Sequence, residues 1–129
     1  MTGQPLSAEG SGGASASSCA VEQTRVGAVC VVSVSGTVDM LTAPQVAAAI
    51  TAAAADGPPA VVVDLTNVDF LASAGMGVLV AAHAQLMPAV RFAVVADGPT
   101  TSRPLKLVGI TEVVELFITL DDALAAIAA

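Results

Sequence analysis

Short apolar runs and longer alanine-rich segments with helical spacing alternate along most of the chain. The run from Ala60 to Leu65 is the strongest strand signal, because a β-branched run of this length is typical of a strand buried on both faces of a sheet. A helix is predicted from Ser73 to just before Met87, and Gly109 is well placed to end a later helix.

The first predicted helix carries several start signals in a row. Thr42 is a favourable N-cap, Gln45 completes a capping box with it, and Pro44 is tolerated in the first turn. The helix is predicted to run to Ala55, because the segment Asp56-Gly57-Pro58-Pro59 ends it.

Together these segments predict the order ββαβαβαβα, which is typical of an α/β fold with a mostly parallel or mixed sheet of about five strands and about four helices. The remaining predicted elements are a hairpin of Thr24–Val26 and Ala28–Val34, strands Arg91–Val95 and Val113–Ile118, a helix starting at Thr101, and a last helix capped by the segment from Thr119 to Asp122. Residues 1–20 are rich in Gly, Ser and Ala and are predicted to be a disordered tail, which leaves residues 21–129 as one domain.

Composition and charge restrict the class of partner. Aromatic residues make up only 2% of the chain, which argues against nucleic-acid binding by base stacking. The formal net charge of −7, with only 4 Lys and Arg residues, argues against any phosphate-backbone partner. We therefore predict no nucleic-acid partner, and the acidic surface is better suited to a basic protein partner.

Membrane attachment and bound groups are not predicted either. No apolar run reaches the roughly 18 to 20 residues that cross a bilayer, and nothing basic precedes Arg25 as it would in a signal peptide, so a cytoplasmic location is expected. Cys19 and Cys30 lack the spacing of metal ligands, and Cys30 lies in an apolar run where a buried, unreactive thiol is expected. No cofactor or metal site is predicted.

Ser73 stands at a predicted helix start, where backbone N–H groups are unpaired and carry partial positive charge. A serine there can cap the helix, act as a nucleophile or accept a phosphoryl group. A nucleophile needs a base, but the single histidine, His83, is ten residues along the same predicted helix, about 15 Å away. The Gly-x-Ser-x-Gly elbow is also absent, so the residues argue against a hydrolase.

Two further features have open interpretations. Gly75-Met76-Gly77 follows a strand and opens a helix, but Val80 occupies the third glycine position of a dinucleotide fingerprint, so a nucleotide-binding protein or enzyme is a weak alternative. Asp39 ends an apolar strand just ahead of a helix start, where it is either a turn residue or part of a functional site.

Two separated motifs resemble the signature of STAS-domain anti-sigma factor antagonists, also called anti-anti-sigma factors. The longer motif, from Val63 to Leu79, is similar to the strand, the loop and the Ser-containing turn of that signature. The shorter motif, from Gly36 to Ala43, resembles the family's Gly-Glu-Leu-Asp-x-x-Thr-Ala segment. The resemblance extends over about residues 20–129 and implies a STAS fold.

The resemblance implies roles for individual positions. Ser73 is implied to be the phosphoacceptor, and Asp39 matches the acidic residue beside it. The Asp that the family pattern has before the serine is Ala72 here, and its second hydroxyl residue is Ala74. The loss of the Asp carboxylate can alter recognition by a kinase or the rate of phosphorylation. The expected exposed partner-binding surface consists of Asp39, Thr42, Leu71, Ser73, Gly75 and Met76.

The implied function is that of a regulatory switch and not of an enzyme. By resemblance, the unphosphorylated protein binds an anti-sigma factor of the serine kinase type and so frees the sigma factor, and phosphorylation of Ser73 ends the interaction. A serine phosphatase is expected as a further partner, and ATP belongs to the kinase. Two alternatives are a Ser73 that only caps its helix, and a STAS module that scaffolds another complex or senses a small ligand without phosphorylation.

Overall fold

A computed structural model describes residues 18–128. Its strands and helices follow the predicted order, which begins with a two-stranded hairpin. The described part of the chain contains five strands, four α-helices and one 3₁₀ turn. Their bounds are β1 Cys19–Val26, β2 Val29–Val38, α1 Ala43–Ala54, β3 Ala60–Leu71, α2 Ser73–Leu86, β4 Arg91–Val95, α3 Ser102–Leu107, the 3₁₀ turn Ile110–Glu112, β5 Glu115–Phe117 and α4 Leu120–Ala128.

The five strands form one mixed sheet in the spatial order β1-β2-β3-β4-β5. Only β1 and β2 pair antiparallel, and the pairs from β2 to β5 are parallel. The predicted α/β fold is therefore confirmed. The central strand β3 is buried on both faces, since Val61, Val62 and Val63 are 0% exposed.

Helices cover the two faces of the sheet unequally. The larger core contains Val46 of α1, Leu79 of α2 and Leu105 of α3, packed with one face of the sheet. The smaller core lies on the opposite face, where Ala123 of α4 packs with Val31, Val62, Ala93 and Val95. The larger core thus fixes α1 and α2 against the strands that lead into the Ser73 segment.

The strands at one end of the sheet are longer than predicted. β3 continues to Leu71 instead of ending at Leu65, because it stays paired with β2 as far as Val38. β1 begins at Cys19, ahead of the predicted domain start at residue 21. The predicted disordered tail otherwise falls on residues 1–17, which lie outside the described residues. β5 is shorter than predicted, with only Glu115–Phe117 paired to β4.

Two predicted helix ends are confirmed by their local geometry. Gly109 follows α3 with a φ of 80°, a left-handed conformation that glycine adopts without a steric penalty. The Thr119 hydroxyl accepts a hydrogen bond from the Asp122 N–H at 3.0 Å, so it caps α4. Among residues 18–128, no helix has both the length and the hydropathy needed to cross a membrane.

Candidate functional site

The ends of β2 and β3 bring the Asp39 and Ser73 segments together. Val38 and Leu71 are the last paired residues of these parallel strands, and both chains turn immediately after them. The Ala72 N–H donates a hydrogen bond to the Val38 carbonyl at 2.8 Å, which joins the start of α2 to the end of β2. The predicted proximity of the two motifs is thus found in the structure.

The Asp39 carboxylate organises the turn between β2 and α1. Its Oδ1 accepts hydrogen bonds from the Leu41 N–H at 2.9 Å and the Thr42 N–H at 3.1 Å. The Asp39 N–H in turn donates to Thr42 Oγ1 at 2.9 Å. Asp39 therefore has the turn role that its position allowed, and its role in partner binding stays a prediction.

The predicted capping box at the start of α1 is not formed. Thr42 is the N-cap residue, but its side chain makes no capping hydrogen bond to the described helix. Its hydroxyl instead donates to the Thr37 carbonyl at 2.7 Å, while Gln45 Nε2 donates to the Cys19 carbonyl at 3.2 Å. Both side chains tie the turn to the sheet, and these contacts replace the local cap.

Ser73 is the first residue of α2, and its side chain is exposed. The N-cap position belongs to Ala72, whose backbone is extended at φ −83° and ψ 169° and which supplies no side-chain cap. The Ala72 carbonyl accepts the Gly75 and Met76 N–H groups at 3.0 and 3.1 Å. The alternative that Ser73 caps the helix is therefore wrong, and its hydroxyl faces solvent at the positive end of a 14-residue helix.

Gly75 is a packing residue. A Cβ atom at this position would lie 2.6 Å from Val38 Cγ1 and 2.8 Å from Leu71 Cδ1, whereas a Cβ at Gly77 would meet nothing within 4 Å. The absence of a side chain at Gly75 lets α2 approach the ends of β2 and β3. Both glycines lie within α2 and not in a loop before it, which removes support for the nucleotide-binding alternative.

Three of the six residues expected on an exposed surface are buried. Thr42 is 7% exposed, Leu71 is 5% exposed, and Gly75 is buried between strand and helix. The expectation that they form an exposed surface is wrong, because their side chains or Cα atoms pack the turn and the helix against the sheet. Asp39 and Met76 are half-buried, so they and the exposed Ser73 remain accessible.

Three exposed apolar side chains that lie close in sequence to Asp39 or Ser73 were missed by sequence reasoning. Met40 is 76% exposed, Leu41 is 77% exposed, and Phe70, one residue before the end of β3, is 55% exposed. The available signal was two large apolar residues in a turn, where polar residues are usual. Together with Asp39 and Ser73 they form what we call the Ser73 surface.

Cys19 lies close to this region, while Cys30 is buried in the core at 3% exposure, as predicted. Burial raises the pKa of the Cys19 thiol, and the negative charge of Asp39 raises that pKa further. A raised pKa reduces the thiolate fraction at neutral pH. The surroundings of Cys19 therefore disfavour reactivity. No cluster of three or more His, Cys, Asp or Glu residues that could hold a metal ion occurs in residues 18–128.

Comparison with known proteins decides the family. A family model described as the STAS domain matches residues 20–123. The chain belongs to the STAS domain family. Its STAS domain is 41% identical over 99 residues to the anti-sigma-F factor antagonist RsfB of Mycobacterium tuberculosis, covering 77% of this chain and 81% of the relative.

Solved structures agree with this STAS assignment. The crystal structure of an anti-sigma factor antagonist from Mycobacterium paratuberculosis matches with a TM-score of 0.84 and 46% identity, covering 87% of this chain and 96% of that one. Unphosphorylated SpoIIAA, also described as an anti-sigma factor antagonist, has a TM-score of 0.68 at 18% identity, covering 84% and 96% of the two chains. At that identity the likeness to SpoIIAA concerns the fold alone.

Proposed function

We propose that this STAS protein is an anti-sigma factor antagonist that acts in the cytoplasm by partner switching. The observation that carries the proposal is the exposed Ser73 at the start of α2, where the segments that carry the exposed Met40, Leu41 and Phe70 come together. The relatives described as anti-sigma factor antagonists support the same function. The unphosphorylated protein binds an anti-sigma factor and thereby releases a sigma factor.

The Ser73 surface has the composition of a protein interface. Met40, Leu41 and Phe70 present large apolar side chains to solvent, and such side chains supply most of the binding energy when a partner buries them. Asp39 precedes Met40 and Asp69 precedes Phe70 in the sequence, so these segments also carry negative charge. This combination suits a partner with an apolar contact zone and basic residues around it.

Phosphorylation of Ser73 would act on the partner more than on the fold. A phosphate adds about −1.5 to −2 charge, and at the start of α2 this charge is favoured by the helix dipole and by free N–H groups. A partner packed over Ser73 would have to bury that charge next to Asp39. We infer that the anti-sigma factor is of the serine kinase type and that a serine phosphatase restores binding.

A second candidate function is a STAS scaffold that is not phosphorylated. The observation that favours it is Ala72, because the family signature has an acidic residue at this position and α2 lacks any side-chain cap here. In that case Ser73 lies in the interface without being a substrate.

One experiment separates the two candidates. The protein is incubated with a serine kinase anti-sigma factor from the same organism and ATP, and its intact mass is measured. We expect one phosphate on the wild type and none on Ser73→Ala, which should still bind. Absence of phosphate on the wild type, with normal binding, would favour the scaffold.

Acidic substitutions then test the interface directly. Ser73→Asp should weaken binding by about 10- to 1,000-fold, the range expected for an unpaired charge in an interface. The matched control is Thr51→Asp, on an exposed position of α1, which should bind like the wild type. Equal affinities for the two variants would place Ser73 outside the interface.

Asp39 needs a variant that separates charge from turn structure. Asp39→Asn retains a side-chain oxygen for the Leu41 and Thr42 N–H groups but removes the charge. If the charge contacts the partner, Asp39→Asn should bind at least several-fold more weakly while its stability changes little. Normal binding by Asp39→Asn would leave Asp39 with its turn role alone.

A further inference from the structure

The face of the sheet that α4 covers changes character along β2 and β3. Val31 and Val62 of this face pack beneath α4 in the smaller core. The next positions on the same face are Ser33 of β2 and Asp64 of β3, which are register partners. The apolar core under α4 therefore ends at Val31 and Val62, and the next positions along both strands carry polar side chains.

A groove of about 320 Å³ lies over this polar part of the sheet. Its polar lining comes from three adjacent strands and consists of Glu22 of β1, Ser33 and Ser35 of β2, and Asn67 of β3. Its volume falls at the lower end of the range of about 300 to 1,000 Å³ found for small-molecule sites.

Strand irregularity brings Asn67 into the groove. With regular pairing, the partner of Ser35 would be Thr66, two residues after Asp64. The observed partner is Asn67, because β3 contains an extra residue between these pairs. Such bulges change the direction of a side chain and are often found next to binding sites. Here the bulge places the Asn67 amide beside the two serine hydroxyls.

The charge of the groove has one sign. Glu22 lines the groove, whereas Asp64 is the register partner of Ser33 but lies outside the lining. Among the lining residues that the structure describes there is no Lys or Arg. Within residues 18–128, the side chains of Glu22, Ser33, Ser35 and Asn67 form no hydrogen bond or ion pair with another residue, so their acceptor atoms are available to a ligand.

We propose that this groove binds a small aliphatic amine, a function separate from that of the Ser73 surface. An ammonium group carries donors and no acceptor. One ammonium group pairs with the Glu22 carboxylate and donates to the hydroxyls of Ser33 and Ser35. The Asp64 carboxylate is two strand spacings, about 10 Å, across the sheet from Glu22. Its Oδ1 accepts hydrogen bonds from the N–H and the hydroxyl of Thr66, so it attracts a second ammonium group through its charge and its Oδ2. A diamine therefore fits the charge pattern better than a monoamine, and an anion does not fit it.

The test is a titration of the full chain, labelled with ¹⁵N, with putrescine, followed by amide chemical shifts. The neutral control is 1,4-butanediol, which has the same chain length and hydrogen-bonding ends without charge. We expect saturating shifts confined to residues 20–22, 33–35 and 64–67 with putrescine, and shifts at least tenfold smaller with the diol.

Two variants make the outcome decisive. Glu22→Gln should weaken putrescine binding at least tenfold, and Ser33→Val, which fills the groove without a change of charge, should weaken it as well. Glu112→Gln, an exposed carboxylate on the 3₁₀ turn, is the control and should change binding less than twofold. The same spectra report whether each variant is folded. Non-saturating shifts spread over other acidic residues, or equal effects of the two Glu→Gln variants, would overturn the proposal and leave an ordinary solvated sheet face.

Discussion

Gly75→Ala gives the sharpest test of how α2 is seated on the sheet. The new methyl group would lie 2.6 Å from Val38 Cγ1 and 2.8 Å from Leu71 Cδ1, both far inside contact distance. Val38 is 1% exposed and lies in a strand, so it has little freedom to move. Overpacking of this kind costs about 1 to 3 kcal/mol, whereas replacing glycine by alanine in a helix gains about 1 kcal/mol. The net expectation is destabilisation by as much as about 2 kcal/mol.

Gly77→Ala isolates the steric part of this effect. It lies two residues further along the same helix and meets nothing within 4 Å, so it should gain helix propensity without a clash. The two free energies of unfolding, measured by urea denaturation, should differ by about 1 to 3 kcal/mol. A difference of 1 kcal/mol corresponds to about 4 °C in Tm for a domain of this size.

Two results would refute this reasoning. One is a Gly75→Ala variant as stable as Gly77→Ala, because α2 would then have room to shift without cost. The other concerns a second substitution, Val38→Ala, which removes the nearest clashing atom. Combined with Gly75→Ala it should destabilise less than the sum of the two single changes, and strict additivity would show that the two positions do not touch.

Three further predictions concern the rest of the molecule. Ala72→Asp or Ala72→Asn supplies the missing cap of α2 and should raise the free energy of unfolding by about 1 kcal/mol; an unchanged value would contradict the N-cap assignment. The hydrogen bond from Arg91 lowers the pKa of Glu115 in the folded protein. The pair therefore stabilises the fold fully above the ordinary Glu pKa, and this stabilisation is lost as the pH falls through the lower folded pKa. Both side chains are partly exposed, so the free energy of unfolding should be lower at pH 3 than at pH 7 by less than about 1 kcal/mol on account of this pair. This part of the pH dependence should be absent in Glu115→Gln. A thiol reagent should modify Cys19 slowly and Cys30 only after unfolding, and rapid labelling of Cys30 in the native protein would contradict its burial.

The elements that could be predicted from sequence are those with strong local signals. β4 has the predicted bounds Arg91–Val95, and α2 begins at Ser73 and ends before Met87 as expected. A compact apolar run, or a helix ended by proline, carries this information within a few residues. The two STAS motifs likewise predicted that the Asp39 and Ser73 segments meet.

What could not be predicted depends on contacts between distant segments. The polar pair Thr66-Asn67 suggests a loop, yet β3 continues through it because β2 supplies a partner strand. The capping box of Thr42 and Gln45 satisfies every local requirement, but both side chains find partners elsewhere. The burial of Gly75 also depends on the position of Val38, more than thirty residues away in sequence.

The spatial order of the strands has a consequence for how the protein is made. Within residues 18–128, each strand from β2 to β5 pairs with the strand that precedes it in the chain. The sheet can therefore grow from β1 to β5 in the order in which a ribosome releases these strands. Until β3 emerges from the ribosome, one edge of β2 has unpaired backbone groups. After β3 has paired with β2, the other edge of the Val-rich β3 stays unpaired until β4 is released. Between the release of β3 and the release of β4, the unpaired edge of β3 is therefore a site at which nascent chains can pair with one another.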